Sequence, residues 1–323
     1  MRLIALEEHL ATAHLIDQVW GSLLPDNLAN ALMDVGERRL RVMDAAGIDV
    51  QVLSAAAPGP QTAPVDQAAD LAAALNDQCA QTMAAHPDRF QALAALPTQV
   101  PAAAAVEAKR AITELGFCGL IINGHTGGRF LDAPEFDELL GTIEELNVPL
   151  YLHPTFPPPE VAKIYFDGLE PMVGLALATG AWGWHAEAGL HVLRLAVAGV
   201  FDRHPGIQIV VGHMGENLPF SLMRADAMLA RADVMSSVAD GTTGSVAAVV
   251  REHVHITICG YTTVPPLLCA LSVFGADRIL FSTDYPFDPS DPVAHARFLE
   301  EAPISPADRE KIAHGNAERL FRL

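Results

Sequence analysis

The chain has 323 residues, half of them hydrophobic, with 20 basic against 39 acidic side chains and a formal net charge of −19. That length allows one barrel-sized domain or two smaller ones. So acidic a chain argues against gripping nucleic acid through a basic face and against binding an anionic membrane. A bound metal or a local arginine can still admit a small anion. Cys79, Cys118, Cys259 and Cys269 show no CxxC spacing and read as reduced thiols of a cytoplasmic protein. No basic-then-apolar leader and no clean apolar run of about 18 residues is present, so a soluble protein is expected.

The first apolar run, Leu3-Ile4-Ala5-Leu6, reads as a buried strand that ends in Glu7-Glu8-His9. On an extended chain Glu7 and His9, two apart, point to the same side. An irregular apolar region is expected from there to about residue 36, carrying Trp20. Residues 37–46 are helical in pattern and Gly47 stops them. Strand 2 is expected over 48–54, a loop at Pro58-Gly59-Pro60, a long helix over 66–86 and strand 3 over 90–96. A helix over 101–115 starts on a proline, strand 4 covers 117–122, and a glycine-rich loop opens at Asn123. After a helix over 134–146, strand 5 (148–153) ends in Leu152-His153-Pro154. Residues 155–184 look irregular, with Pro157-Pro158-Pro159, and suit a lid or a partner contact. Helix 185–204, strand 6 (207–211) ending in Gly212-His213, helix 217–235, strand 7 (254–258), strand 8 (278–281) ending before Asp284, and a closing helix over 306–320 complete the pattern.

Eight short strands, nearly all separated by helices, imply parallel pairing. They fit a (β/α)8 barrel, one domain over 1–323, with long loops after strands 1, 5 and 6. No GxGxxG follows any strand, which weakens the rival reading as an open doubly wound sheet.

In such a barrel the C-terminal strand ends open onto one face. Glu7, His9, His153, His213 and Asp284 all fall at those ends. Each has an ordinary explanation by itself: a packing histidine before Pro154, a helix cap at His213, a cap or turn aspartate at Asp284. Together they make an oxygen and nitrogen set for Zn²⁺ or Mn²⁺ with open positions, and Mg²⁺ is not excluded by the donors.

Five stretches carry a resemblance across essentially the whole chain: Ala5-Leu6-Glu7-Glu8-His9, Leu152-His153-Pro154, Gly212-His213-Met214-Gly215-Glu216-Asn217-Leu218-Pro219, Phe281-Ser282-Thr283-Asp284-Tyr285-Pro286 and His314-Gly315-Asn316-Ala317-Glu318-Arg319-Leu320-Phe321. With them the chain resembles the amidohydrolase superfamily, in the branch of the γ-resorcylate and 2,3-dihydroxybenzoate decarboxylases. Most amidohydrolases carry His-x-His at strand 1. Glu7-x-His9 is the pattern of the resorcylate-type enzymes, and Asn123 stands where a binuclear member would carry a bridging lysine.

The resemblance implies one divalent metal and no organic cofactor, with Glu7, His9, His153 and Asp284 as ligands. It implies Asp284 as proton donor, His213 as an acid/base group held by Glu216, and Arg224 near the substrate. The expected reaction is non-oxidative decarboxylation of a hydroxylated aromatic acid, by protonation of the ring carbon before loss of CO2. A metal-dependent hydrolase of the same superfamily, a lactonase or amidohydrolase, uses the same residues differently and stays open here. Trp20, Phe156 and Phe287 are candidates to touch the ring, and Asn123 and His185 to meet its substituents. Loop packing for Trp20, Phe156 and Phe287, and interface or core packing for the stretch around Trp184 and His185, are the ordinary explanations of these residues. A homodimer or homotetramer is implied, with residues 155–184 as the suggested interface.

Overall fold

The computed structural model describes residues 1–20, 24–235, 245–288 and 291–323. Eight parallel strands stand in chain order: β1 (Ile4–Leu10), β2 (Val50–Ala55), β3 (Phe90–Ala95), β4 (Gly119–Asn123), β5 (Leu150–His153), β6 (Ile209–Val211), β7 (Val254–Thr257) and β8 (Ile279–Leu280). Every neighbouring pair in that order is hydrogen-bonded in parallel. The seam is nearly closed by one bridge, Leu6 to Ser282, with the Leu6 amide donating to the Phe281 carbonyl at 3.1 Å. This is the expected (β/α)8 barrel. Its strands are apolar on both faces because side chains fill the interior and helices cover the outside.

The connections differ from expectation in several places. The region after β1 holds two helices, Ala13–Val19 and Asp26–Met33. Residues 155–184 are not irregular throughout: helices Pro159–Tyr165 and Pro171–Ala178 lie there. Each begins on a proline, and proline suits a first helical turn, where no N–H is needed. Helix Gly183–Val197 ends before Gly199, whose φ of +66° breaks what had been read as one helix to residue 204. Helices Val264–Phe274 and Pro292–Glu301, which complete the alternation around β8, were not anticipated. Their apolar spacing is masked by paired prolines in one and by charged residues in the other.

Candidate active site

At the C-terminal face, β1 is not the straight strand that the spacing of Glu7 and His9 suggested. Its register to β2 jumps between Ala5 and Glu8, and Glu7 adopts a φ of +66°. This bulge turns the Glu7 side chain into the barrel mouth. Among the described residues, eight non-glycines have positive φ, and six of them are Glu7, His213, Met214, Glu216, Asn217 and Asp284. Such backbone costs energy unless its surroundings impose it, so its concentration here marks a built site.

Glu7 is fully buried, and its two oxygens differ. Oε2 accepts from the Tyr151 hydroxyl, from Thr257 Oγ1 at 3.1 Å and from the Cys259 thiol at 2.6 Å. Oε1 has no hydrogen-bond partner, and His153 Nε2 lies 3.4 Å from it. A Cβ on Gly212 would stand 2.6 Å from Oε1, so only glycine leaves room for the carboxylate. Burial raises the Glu7 pKa above its ordinary value, because nothing in the protein alone offsets the charge well enough.

The imidazoles are turned the same way. His9 Nδ1 meets Ser54 Oγ at 3.1 Å, and its Nε2, also without a hydrogen-bond partner, lies 3.1 Å from Asp284 Oδ1. His153 Nδ1 donates to the Pro154 carbonyl at 2.7 Å, which leaves the Nε2 lone pair facing the cluster. Burial, helped by His9 and His213, pushes His153 down to about 3, so it stays neutral as a ligand must. Ligand atoms of Glu7, His9, His153 and Asp284 all lie within 4.8 Å of one another. Two bare, buried donor atoms among four convergent ones fit a divalent cation with mixed oxygen and nitrogen preference. Glu7, His213 and Cys259 also lie close together, but the thiol already donates to Glu7.

His213 stands beside this set. Its Nδ1 is 2.6 Å from Glu216 Oε1, and its Nε2 lies 3.6 Å from both Glu7 Oε1 and Asp284 Oδ2. Burial would lower its pKa, but Glu216 and Glu7 win and hold it well above the ordinary value. Burial likewise works against ionisation of Glu216, yet His213 and His185 bring it down to about 2. For Asp284 too, the close approach of His213 and His9 outweighs burial and holds the carboxyl below the usual carboxylate range.

His185 departs from expectation. It lines the site cavity, but Nδ1 is 2.7 Å from Glu216 Oε2 and Nε2 is 2.9 Å from the Gly180 carbonyl. With both nitrogens engaged it clamps Glu216 rather than awaiting a substrate hydroxyl. The pairing of His213 with Glu216 is present as expected, and His185 is the third member that spacing could not supply.

The cavity beside the cluster measures about 480 Å³ and is lined by Trp184, His213, Tyr261, Asp284 and Phe287 among others. Trp20 lies 5.5 Å from Phe156 and 6.1 Å from Phe287, ring centre to ring centre, while Phe156 is 6.1 Å from Trp184. Phe287 reaches His9 at 5.5 Å, so the aromatic group borders the cluster directly. Asn123 is buried at the end of β4 beside His153 in register, its backbone N–H donating to Gln61 Oε1. Arg224 is not brought to the site by this chain. It is exposed on helix Leu218–Met235 and does not line the cavity. Tyr261 and Cys259 were missed, although both follow a strand end, the position that flagged the others. Arg39, also missed, is fully buried and donates to the backbone carbonyls of His9, Ala31 and Asp34, tying the bulged strand in place.

Residues 13–323 match the amidohydrolase family. A γ-resorcylate decarboxylase from Polaromonas sp. is 38% identical over 331 residues, spanning 99% of this chain and 98% of its own. A crystal structure of 2,6-dihydroxybenzoate decarboxylase with 2,6-dihydroxybenzoate superposes with a TM-score of 0.91 at 37% identity, covering all of both chains. A dihydroxybenzoic acid decarboxylase from Polaromonas sp., with bound manganese and 2-nitroresorcinol, gives 0.89 at 37% identity, covering 100% of this chain and 97% of that one.

Proposed function

The chain belongs to the amidohydrolase family, and on that premise we propose a metal-dependent carboxy-lyase that removes CO2, without oxidation, from a hydroxylated aromatic acid. Full-length likeness to named decarboxylases favours this over the hydrolase alternative. The observation that carries it in the chain itself is the cluster of Glu7, His9, His153 and Asp284, with two bare donor atoms, set against an aromatic-lined cavity.

Glu7, His9, His153 and Asp284 hold one divalent cation in this reading. Manganese is the first choice because the Polaromonas decarboxylase structure holds it, and zinc and magnesium suit the same donors. When bound, the cation supplies Lewis acidity that stabilises negative charge on the substrate's carboxylate and neighbouring oxygen. It also answers how so acidic a protein accepts an acid. Trp20, Phe156, Trp184 and Phe287 hold the ring flat and exclude water.

Asp284 rests ionised, so it brings no proton of its own. It takes the proton of the substrate's ortho hydroxyl and returns it to the ring carbon that carries the carboxylate. The new C–H bond interrupts aromaticity. The bond to the carboxylate then breaks, its electron pair restores the ring, and CO2 leaves. Solvent reprotonates the phenolate. His213, kept cationic by Glu216, faces Asp284 and stabilises charge on the oxygens while the proton is in transit.

Exposed apolar side chains on three helices, Ile164, Tyr165, Met172, Phe220 and Met223 among them, support a homo-oligomer that uses residues 155–184. Among the described residues no helix is long and apolar enough to cross a membrane. Four unpaired cysteines favour the cytoplasm.

The test is product analysis with metal content on the purified protein. Release of CO2 with resorcinol from 2,6-dihydroxybenzoate, or with catechol from 2,3-dihydroxybenzoate, at about one metal per chain is the expected result. Bound metal with lactone hydrolysis and no CO2 from any aromatic acid would return the hydrolase reading.

A further inference from the structure

The opposite end of the barrel holds a larger cavity, about 530 Å³, at the N-terminal ends of β5 to β8 under the last helix, Asn316–Phe321. Arg278, Arg319 and Arg322 line it. None of the three makes an ion pair within 4 Å with a described residue, in a chain with 39 acids to 20 bases. Asp277 is the one carboxylate among the lining residues, and it is drawn to Lys311 at 2.8 Å. Three guanidiniums therefore share one lining carboxylate that already has a partner, and Glu252, outside the lining, also acts on Arg278.

The floor of the cavity is polar and incompletely satisfied. His255, 4% exposed, accepts from Arg278 Nη1 through Nε2 at 2.8 Å. Arginine can only donate, so the remaining proton of a neutral His255 sits on Nδ1, which has no partner. Burial, with Arg278 and Arg319, pushes His255 down to about 3, so it adds no charge of its own. Gln208 accepts from the same Arg278 nitrogen at 2.9 Å and fixes its guanidinium on the strand ends. Arg319 donates to the Asp277 carbonyl at 2.9 Å and to Asn316 Oδ1 at 2.8 Å through Nη2, leaving its other nitrogens uncommitted.

We propose that this cavity is a binding site for a small dianion, a phosphoryl group or a paired carboxylate, held by Arg278, Arg319 and Arg322 at the end of the barrel opposite the metal cluster. Guanidinium forks match the planar or tetrahedral oxygens of such groups and bind them bidentately. The cavity exceeds a bare phosphate ion, so the ligand is a small metabolite carrying the group. Its arginines come from the residue before β8, from the last helix and from the residue that ends it, so occupancy ties that helix to the barrel.

Calorimetric titration of the metal-loaded enzyme with inorganic phosphate and, separately, with succinate tests this, alongside Arg322→Glu and Arg278→Gln. The first variant is exposed and unpaired in the fold, and the second keeps a side chain that can hydrogen-bond Gln208. Saturable binding of either ion by the wild type, weakened about tenfold or more in both variants while decarboxylation is unchanged, is the expected result. Tighter binding of phosphate assigns a phosphoryl ligand, and tighter binding of succinate an organic diacid. No saturable binding of either ion, or titrations that are the same in the variants and the wild type, overturns the proposal; the latter places the anion at the metal instead.

Discussion

The two ends of this barrel have opposite electrostatic problems. At the C-terminal end, Glu7, Asp284 and Glu216 are packed with His9, His153, His185 and His213, and the atoms left bare are donors for a cation. At the N-terminal end, arginines line a cavity whose one lining carboxylate is already paired, and the atom left bare is an N–H. Net charge is thus no guide to local field: a chain at −19 builds one end that needs positive charge and another that needs negative. The ends also differ in backbone. Strained left-handed residues crowd the metal end, whereas at the arginine end Asn147 and Arg322, each just after a helix, are the lining non-glycines with positive φ. Strain accompanies the end where atoms must be aimed.

The largest effect that can break this contrast is removal of the cation. Exhaustive chelation is expected to abolish decarboxylation and manganese to restore it; persistent turnover in a protein shown to be metal-free would dissolve the distinction between the ends. Next comes Asp284→Asn, expected to lower kcat by about 10²–10⁴ under excess metal, with unchanged far-ultraviolet circular dichroism. Full turnover in that variant with metal still bound would remove Asp284 as the proton carrier.

A smaller and more local effect is expected from Gly212→Ala. Its Cβ would occupy the space of the Glu7 carboxylate, 2.6 Å from Oε1. Metal affinity should fall about 10–100-fold, as read by competition with a chelator of known strength. Unaltered affinity would mean that Glu7 is not placed by this packing.

The mildest prediction concerns Glu187, whose oxygens are both buried near Gly124. Burial, with repulsion from Glu216, raises its pKa to about 8. A carboxyl raised on folding stabilises the fold fully only below its unfolded value of 4.5, and that contribution is lost as pH rises through about 8. Glu187→Gln should therefore raise Tm by a few degrees at pH 8 and by little at pH 5. Parallel Tm profiles for the two proteins between those pH values would show that Glu187 does not carry the charge burden.

Much of the metal end was legible in the chain. Glu7, His9, His153, His213 and Asp284 each follow a short apolar run, and a polar group directly after a buried strand has few places to go other than the barrel mouth. Glu216 was legible too, three residues after His213. His185 was seen but assigned to substrate or packing, because its contact with Glu216 joins residues 31 apart through a turn of backbone that spacing does not encode. Arg224 followed the resemblance and not the geometry of this chain, which leaves it on an exposed helix face.

By itself the sequence determined the strand and helix alternation, and with it the face on which the ligands meet, because apolar periodicity and chain-order parallel pairing leave little freedom in topology. Tertiary structure alone decided the bulge that aims Glu7, the clamp that His185 places on Glu216, and the meeting of Arg278 with Arg319 and Arg322. Each depends on where remote segments come to rest when the barrel closes. A local pattern records which residues are buried, and it does not record the angle at which they arrive or what they find there.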